Sequence, residues 1–254
     1  MRLGQNVGHG SDVGRVRPLN EDYHRVLQFS LRGGPLTLLA VADGMGGAAA
    51  GEVASKLAME VLDESFSRYV SELEMGKPMV SIERLTEKAI RLANRKVYNE
   101  ATRESGRKGM GTTLTLAAVH DGNAVVGHVG DSRAYLVRDG RIHQLTVDHS
   151  WVEEQRKRGL LTDAEARTHE WRNLITRALG TRPEVEPDII PFGVRSGDVL
   201  ALCSDGLHGQ VQPQEILAEI GRTSNRQSSV EYLIGLANQR GGPDNITLVI
   251  AEVP

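Results

Sequence analysis

Two stretches of the chain carry apolar residues at steps of three and four. Such spacing places the apolar side chains on one face of a helix. A segment with turn composition, Met75-Gly76-Lys77-Pro78, separates the two stretches. The pattern therefore predicts two amphipathic helices. The apolar positions are Leu57, Val61, Leu62, Phe66 and Tyr69 in the first stretch and Ile82, Leu85, Ala89, Leu92 and Val97 in the second.

Downstream, the apolar period changes to that of short strands. The runs TTLTLAAV, NAVVGHV, RAYLV and RIHQL are separated by turn residues at 121–123, 130–132 and 139–140. Asp-Gly between such runs is a hairpin signal. The pattern predicts an antiparallel meander, in which Asp121 and Asp139 are plain turn residues.

The remaining third of the chain mixes helical and strand patterns. Residues Trp151 to Arg172 are charged and weakly patterned, with a capping-box sequence at 162–165, and we interpret them as a helical insertion or lid. Strand-like runs return at DVLALCS and NITLVIA, with a short helical stretch from Ser229 to Asn238 between them. Because no repeat or linker divides the chain, we expect one α/β domain with mostly antiparallel strands.

Composition and charge narrow the class of protein. Of 254 residues, 39% are hydrophobic and only 4% aromatic, so the core must be mostly aliphatic. The formal net charge of -3 is not that of a typical nucleic-acid binder, and no nucleic-acid partner is expected. A single cysteine, Cys203, indicates a reducing compartment. The start, MRLGQNVGHGSD, lacks an apolar signal core, and no apolar run approaches the ~20 residues that span a bilayer. A cytoplasmic protein without a membrane segment is expected.

Three aspartates lie at the ends of apolar strand patterns. Asp43 follows TLLAVA, Asp205 follows VLALCS, and Asp244 precedes NITLVI. If these carboxylates came together they would repel one another unless a cation neutralised them. Hard oxygen ligands of this kind suit Mg²⁺ or Mn²⁺. A plain turn role is the alternative for each, because Asp-Gly pairs are common in turns for conformational reasons.

The glycines after Asp43 also match a different motif. The segment GMGGAA at 44–49 satisfies the G-x-G-x-x-A pattern of dinucleotide-binding proteins. That motif expects a second parallel strand about 20 residues on, ending in an acid. Here the corresponding region carries the helical stripe around 62–69. The dinucleotide interpretation is therefore disfavoured.

The order of eight sequence blocks is more informative than any block alone. They are SDVGRVRPLNED (11–22), VADGMGG (41–47), GTTLTL (111–116), VGDSRAYL (129–136), LTVDHS (145–150), ITRALG (175–180), LCSDGL (202–207) and GGPDNITLVI (241–250). In these blocks the chain resembles the metal-dependent protein phosphatase family, the type 2C serine/threonine phosphatases, in their compact bacterial form. The resemblance covers nearly the whole chain.

The resemblance implies a fold and a domain organisation. The fold would be a four-layer αββα sandwich, an α+β arrangement of two antiparallel β-sheets flanked by helices. Residues 1–254 would form a single phosphatase catalytic domain, with a small flap insertion at approximately 150–172. The charged runs of that insertion are equally well explained as a solvated helical face or as a substrate contact.

The resemblance also implies a centre for two Mn²⁺ or Mg²⁺ ions. By similarity Asp43 would bridge both metals, the carbonyl of Gly44 would bind one of them, and Asp205 and Asp244 would hold the other. Gly44, which lacks a Cβ, would let its carbonyl come close to the metal.

Further roles carry over from the family by similarity. Glu21 and Asp22 would act in the outer shell through metal-bound water, and Arg17 would bind the substrate phosphate. Asp131 would help to bind a third, weaker metal; the alternative is that it is a plain acidic residue in a turn. In relatives an acid four residues after the position of Asp205 assists at that third site. This chain has Gly209 there, which puts a full third site in question.

No general acid carries over to this chain. Relatives place a histidine either directly after the Asp-Gly pair or after the Gly-Gly pair, where this chain has Met45 and Ala48. His149 and His208 lie in family blocks and are interpreted as packing or hydrogen-bonding residues. Cys203, inside an apolar strand pattern, is interpreted as a buried structural thiol and not as a nucleophile.

The function hypothesis is a cytoplasmic bacterial phosphatase that hydrolyses phosphoserine and phosphothreonine in proteins. A hydroxide held between two Mn²⁺ or Mg²⁺ ions would attack phosphorus directly. Phosphorylated proteins are the expected partners, among them substrates of a cognate serine/threonine kinase and the kinase itself, and a monomer is expected. Two alternatives remain: a phosphatase dedicated to one anti-sigma-pathway regulator, and a catalytically silent binding module with the same fold.

Overall fold

The strands of the protein form two antiparallel sheets in the computed structural model, which describes residues 7–31, 33–46, 50–78, 80–103 and 109–254. The strands are β1 (Val7–Asp12), β2 (Tyr23–Leu31), β3 (Gly34–Ala42), β4 (Gly44–Met45), β5 (Gly111–Thr112), β6 (Leu114–His120), β7 (Asn123–Val129), β8 (Arg133–Arg138), β9 (Arg141–Gln144), β10 (Asp188–Gly193), β11 (Val199–Cys203) and β12 (Ile246–Glu252). The helices are α1 (Ala50–Glu74), α2 (Ile82–Arg103), α3 (Trp151–Lys157), α4 (Asp163–Thr168), α5 (Asp205–His208), α6 (Pro213–Arg222) and α7 (Arg226–Gln239).

The two large sheets stack face to face. One has the strand order β1-β12-β11-β8-β9 and the other β10-β7-β6-β3-β2, while β4 and β5 form a small separate ribbon. Helices α1 and α2 pack on the second sheet, and the helices from α5 to α7 pack on the first. These four layers confirm the predicted αββα sandwich.

Alternation along the central strands explains why they read as continuous apolar runs. In β3, Leu38 and Ala40 pack towards α1 and α2, whereas Leu39 and Val41 pack between the two sheets. Strands β11 and β12 are buried on both faces in the same way. The side chains of such a strand still alternate between its two faces. Because both faces are buried, both carry apolar residues, and the sequence shows an unbroken apolar run.

The two predicted amphipathic helices are confirmed as α1 and α2. Helix α1 begins at Ala50, ahead of Leu57, the first residue of its apolar stripe, and α2 spans the whole second stripe. Leu92 is an exception to the stripe, because it is 38% exposed. The capping box at Thr162 is also confirmed, with its hydroxyl accepting from the backbone of Glu165 at the start of α4.

The predicted meander is wrong in one respect, because it is divided between the two sheets. Strands β6 and β7 pair in one sheet, and β8 and β9 pair in the other. The chain crosses from sheet to sheet at Gly130, whose φ of +115° a side-chain-bearing residue rarely adopts. Both hairpin turns have the predicted form, since Asp121 and Asp139 have φ of 48° and 52° and each precedes a positive-φ glycine.

The sequence predicts neither a signal segment nor a membrane-spanning segment. Residues 1–6, where a signal segment would begin, lie outside the described residues. Among the helices described, none combines the length and the apolar character that crossing a bilayer requires.

Candidate metal centre

Asp43 stands at the point where β3 leaves its sheet. Its N–H donates to the Thr113 hydroxyl at 2.9 Å. Its carbonyl accepts from the Thr113 N–H at 2.8 Å and from the Thr112 hydroxyl at 2.9 Å. The backbone of Asp43 is thus fully bonded to the segment that precedes β6, which leaves the carboxylate to interact with other side chains.

Asp205 and Asp244 come from the other large sheet. Asp205 directly follows β11 and Ser204, and Asp244 lies two residues before β12. Since β11 and β12 are antiparallel neighbours, the end of one meets the start of the other at the same edge. The carboxyl groups of Asp43 and Asp205 are close enough to act on one another, and the charge of Asp244 acts on both. The two sheets therefore deliver carboxyl groups to one place.

The loop between β1 and β2 contributes Glu21 and Asp22 in different ways. Asp22 is buried, and its Oδ2 accepts from the Ser204 hydroxyl at 2.7 Å, beside Asp205. The Glu21 carboxylate instead accepts from the Gly51 N–H at 3.1 Å, in the first turn of α1. Asp22 therefore joins Asp43, Asp205 and Asp244 in a group of acids that we call the carboxyl cluster. The Glu21 carboxylate instead contacts the first turn of a helix.

Asp131 lies in the turn where the chain crosses between sheets. It is buried, at 6% exposure; the charge of Asp205 raises the pKa of Asp131, and the charge of Asp131 raises the pKa of Asp43. Its carbonyl is hydrogen-bonded to His208 Nε2 at 3.0 Å. The structure thus brings Asp131 to the carboxyl cluster. Its role at a third metal stays a prediction.

The carboxyl groups of this cluster repel one another; Asp22 and Asp131 are buried, whereas Asp43, Asp205 and Asp244 are half-buried. Burial raises the pKa of Asp43 and of Asp131 well above the usual value, and neighbouring carboxylates raise both further. Burial raises the pKa of Asp22 to about 7, although hydrogen bonds to the carboxylate oppose this. Burial and the charge of Asp244 raise the pKa of Asp205 to about 6. Without a cation, these groups cannot all be ionised at neutral pH.

Arg17 brings a positive charge to the carboxyl cluster. Its Nη2 donates to Asp244 Oδ2 at 2.7 Å, while its side chain remains 51% exposed. In this state no group of three or more His, Cys, Asp or Glu side chains within the described ranges is arranged to hold a metal ion.

The donor atoms nevertheless fit a hard divalent cation. Asp22 Oδ1 and Asp205 Oδ1 are buried and have no hydrogen-bond partner among the described residues. Unpartnered carboxylate oxygens in a buried site are costly unless a charge partner is bound. An all-oxygen carboxylate set is what Mn²⁺ and Mg²⁺ prefer.

Gly44 is required for a reason that the sequence did not indicate. A Cβ at this position would lie 2.2 Å from the carbonyl oxygen of Gly51 and 2.5 Å from that of Glu21. Helix α1 and the loop before β2 therefore press directly on β4. The predicted role of the Gly44 carbonyl as a ligand is not tested by this packing and stays a prediction.

An open cleft of about 790 Å³ lies over the carboxyl cluster. Arg17, Asp131, Asp205 and Asp244 line one part of it, and residues of α3 and α4 line another. The segment predicted as a flap thus borders the same cleft as the acids.

A model of the protein family described as Protein phosphatase 2C matches residues 14–239. The chain belongs to the protein phosphatase 2C family. This membership confirms the resemblance that the eight sequence blocks indicate, and the two-sheet architecture agrees with it.

Relatives within the protein phosphatase 2C family cover almost all of the chain. It is 41% identical over 243 residues to the serine/threonine protein phosphatase PstP of Mycobacterium tuberculosis, covering 96% of this chain and 44% of that protein. It is 36% identical over 249 residues to the protein phosphatase PhpP of Streptococcus pneumoniae, covering 96% and 95%. A crystal structure of the catalytic domain of PstP in complex with two manganese ions matches with a TM-score of 0.80 and 37% identity, covering 97% and 96%. The chain thus spans less than half of the mycobacterial relative.

Two positions of this phosphatase-family site were missed by sequence reasoning. Asn245 donates to the carbonyls of Val13 and Leu19 at 2.9 Å and accepts from the Glu21 N–H at 2.8 Å. It therefore ties the loop that carries Arg17 to the segment that carries Asp244. Thr113, which bonds the backbone of Asp43, is the second. The sequence signal for Asn245 was its position next to a predicted ligand, Asp244. The signal for Thr113 was a polar residue at the start of an apolar run.

The histidines and the cysteine behave as expected. His208 bonds a carbonyl, and burial lowers its pKa to about 3. His149 accepts from the Gly130 N–H at 3.0 Å and contacts Asp188 and Arg177. Cys203 is fully buried, and burial raises its pKa to about 12, so it is a poor nucleophile.

The glycine motif after Asp43 has another structural role. Gly44 and Met45 form β4, which pairs with β5. Residues 47–49, which include Ala48, lie outside the described residues.

Proposed function

We propose that this chain is a metal-dependent protein serine/threonine phosphatase that hydrolyses phosphoserine and phosphothreonine with two Mn²⁺ or Mg²⁺ ions. The observation that carries the proposal is the meeting of Asp43, from one sheet, with Asp205 and Asp244, from the other, in a member of the protein phosphatase 2C family. Carboxyl groups with raised pKa values at one cleft are typical of a catalytic site.

The residues that would hold the ions are those of the carboxyl cluster. Asp43, the Gly44 carbonyl, Asp205 and Asp244 are the proposed ligands, with Asp22 and Glu21 in the outer shell. Asp131 is the proposed ligand of a third, weaker ion. When bound, two such ions lower the pKa of water and offset charge on phosphoryl oxygens, so that water can attack phosphorus without a phosphoenzyme.

Arg17 is the proposed phosphate-binding residue. It lines the cleft, it is half exposed, and its guanidinium already pairs with a carboxylate, Asp244. If Asp244 binds a cation, the fork of Arg17 becomes available for two oxygens of a phosphate group. A planar guanidinium pairs with phosphate in a bidentate geometry that lysine does not reproduce.

The partners follow from the chemistry of the substrate. A phosphoserine or phosphothreonine protein is the product of a serine/threonine kinase, and we propose that such a kinase of the same cell supplies the substrates and is itself one. A cytoplasmic, monomeric enzyme is the simplest form of the proposal. The catalytically silent alternative is not favoured. A binding module without activity would not need the residues that hold the metals and the phosphate, yet all five are present: Arg17, Asp22, Asp43, Asp205 and Asp244.

The experiment is phosphate release from a phosphothreonine peptide with Mn²⁺, with excess chelator, and with the Asp43→Asn variant. We expect turnover that chelator abolishes. Turnover in Asp43→Asn should fall by more than the roughly 100-fold that is typical when an outer-shell partner of a metal is changed, because Asp43 is a proposed metal ligand.

The matched control is Asp121→Asn, in an exposed turn with φ of 48°, which asparagine tolerates. This variant should keep wild-type turnover. Chelator-resistant turnover, or an equal loss in both variants, would refute the proposal.

A further inference from the structure

The hydroxyl groups of Thr113 and Ser132 meet in the fully buried space between the two sheets. Their oxygens are 2.8 Å apart, and both residues are 0% exposed. Thr113 Oγ1 also accepts the N–H of Asp43 at 2.9 Å. Ser132 directly follows Asp131 in the chain. This pair, the hydroxyl bridge, therefore connects the backbone of one acid of the carboxyl cluster with the backbone beside another.

Strand pairing joins β3, β6 and β7 as far as Val129, and the hydroxyl bridge ties the crossing turn that follows to Thr113. Asp43 follows β3 in one sheet, whereas Ser132 lies where the chain leaves that sheet to begin β8 in the other. The Ser132 carbonyl accepts from the Thr115 hydroxyl at 3.1 Å, and a Cβ at Gly130 would lie 2.5 Å from Thr113 Cγ2. The crossing turn is thus packed and bonded directly against the segment that carries Thr113.

We propose that Thr113 and Ser132 are positioning residues that set the placement of Asp43 relative to Asp131 in the metal centre. This inference rests on the proposed function. Without the Thr113 hydroxyl, the buried N–H of Asp43 loses its acceptor and must move towards another one. Metal and catalytic constellations lose activity when a ligand is displaced by well under 1 Å. Neither residue is among the proposed metal ligands or the proposed phosphate-binding residue.

A purely structural role would have a different signature. The backbone of Asp43 keeps two other bonds, from the Thr113 N–H and the Thr112 hydroxyl, when the Thr113 hydroxyl is removed. The strand ending at Asp43 therefore stays paired, and the change is confined to the direction of its carboxylate. Metal affinity should respond to this change, while phosphate binding by Arg17, which lies on another loop, should not.

The chain offers a matched control for removing a buried hydroxyl. Thr37 is 2% exposed and lies in β3, the strand that leads to Asp43, but its hydroxyl has no hydrogen-bond partner among the described residues. Thr37→Val and Thr113→Val both remove a hydroxyl group from a buried threonine, one in β3 and one in the segment that precedes β6. Thr113→Ser keeps the hydroxyl and removes only a methyl group.

The experiment measures Mn²⁺ binding to the metal-free protein by calorimetry, and kcat and KM for a phosphothreonine peptide, in all three variants. For Thr113→Val we expect Mn²⁺ affinity to fall about 10- to 100-fold, the effect typical of partners that orient metal ligands. Its kcat should fall while its KM changes by less than about twofold, because the phosphate-binding residue is untouched. Thr113→Ser and Thr37→Val should match the wild type.

Two results would overturn the inference: wild-type Mn²⁺ affinity in Thr113→Val, or equal losses in Thr113→Ser and Thr113→Val, since the methyl group would then be responsible. If Thr113→Val fails to fold, Ser132→Ala removes the other half of the hydroxyl bridge and must show the same loss of Mn²⁺ affinity. A wild-type protein that binds Mn²⁺ through an intact hydroxyl bridge but releases no phosphate would refute the proposed function alone.

Discussion

Replacing Asp205 by asparagine should stabilise the metal-free protein while it destroys the metal site. Burial and the charge of Asp244 raise the pKa of Asp205 from 3.8 to about 6. One pKa unit corresponds to about 1.4 kcal/mol, so ionised Asp205 costs about 3 kcal/mol of folding free energy at pH 7. An asparagine carries no charge there, so this cost is removed.

The direction of the pH dependence follows from the same pKa. A group whose folded pKa lies above its unfolded value binds more protons when folded, so stability falls as pH rises from about 4 to about 6. In the presence of chelator, the wild type should therefore lose stability over this range relative to Asp205→Asn. At pH 7 the variant should unfold at a temperature several degrees higher, since about 1 kcal/mol corresponds to about 2–4 °C in a chain of this size.

The assay is thermal unfolding of both proteins with chelator and with Mn²⁺, together with phosphatase turnover. Mn²⁺ should raise the melting temperature of the wild type and leave that of Asp205→Asn unchanged. Asp139→Asn, in an exposed turn, is the control and should follow the wild type throughout. The reasoning fails if Asp205→Asn is less stable than the wild type in chelator, or if Mn²⁺ stabilises both proteins equally.

Three further predictions test other parts of the site. Arg17→Lys should raise KM for a phosphopeptide by about 10-fold with a smaller change in kcat, because the fork is lost and the charge is kept; an unchanged KM would show that Arg17 does not bind phosphate. Gly44→Ala should lower the free energy of unfolding by at least about 2 kcal/mol in a urea titration, since its Cβ would lie 2.2 Å from a carbonyl oxygen. Gly235→Ala, a helix position with open space, should instead be stabilising. Cys203 should resist alkylation at pH 8 in the native protein and react once urea unfolds it, because burial raises its pKa to about 12; rapid native alkylation would contradict its buried position.

Local chemistry explains why much of the fold was predictable. The helical stripes, the Asp-Gly turns and the capping box at Thr162 each depend on residues within a few positions of one another. Their outcomes in the structure are α1, α2, two hairpins with positive-φ aspartates, and a capped α4. A short-range interaction needs no knowledge of the rest of the molecule.

The division of the meander between two sheets was not predictable in this way. Strands β7 and β8 are both apolar on both faces, so alternation could not show that they belong to different sheets. The crossing at Gly130 depends on how it packs against Thr113, which lies 17 residues earlier. The bonds of Asn245 to the loop before β2 span more than 220 residues, and no local pattern reports such a contact.

By itself, the sequence determined the helical stripes, the mostly antiparallel strands and the acids placed at strand ends, because periodicity is a property of the linear chain. The order of its motifs indicated the family, and the resemblance to that family implied the αββα layers. Only the tertiary structure decided which of those acids share one space, that Arg17 pairs with Asp244, and that Glu21 bonds a helix N-terminus. The physical reason is that pKa values, buried hydrogen bonds and the clearance around Gly44 depend on atoms brought together by folding from opposite ends of the chain.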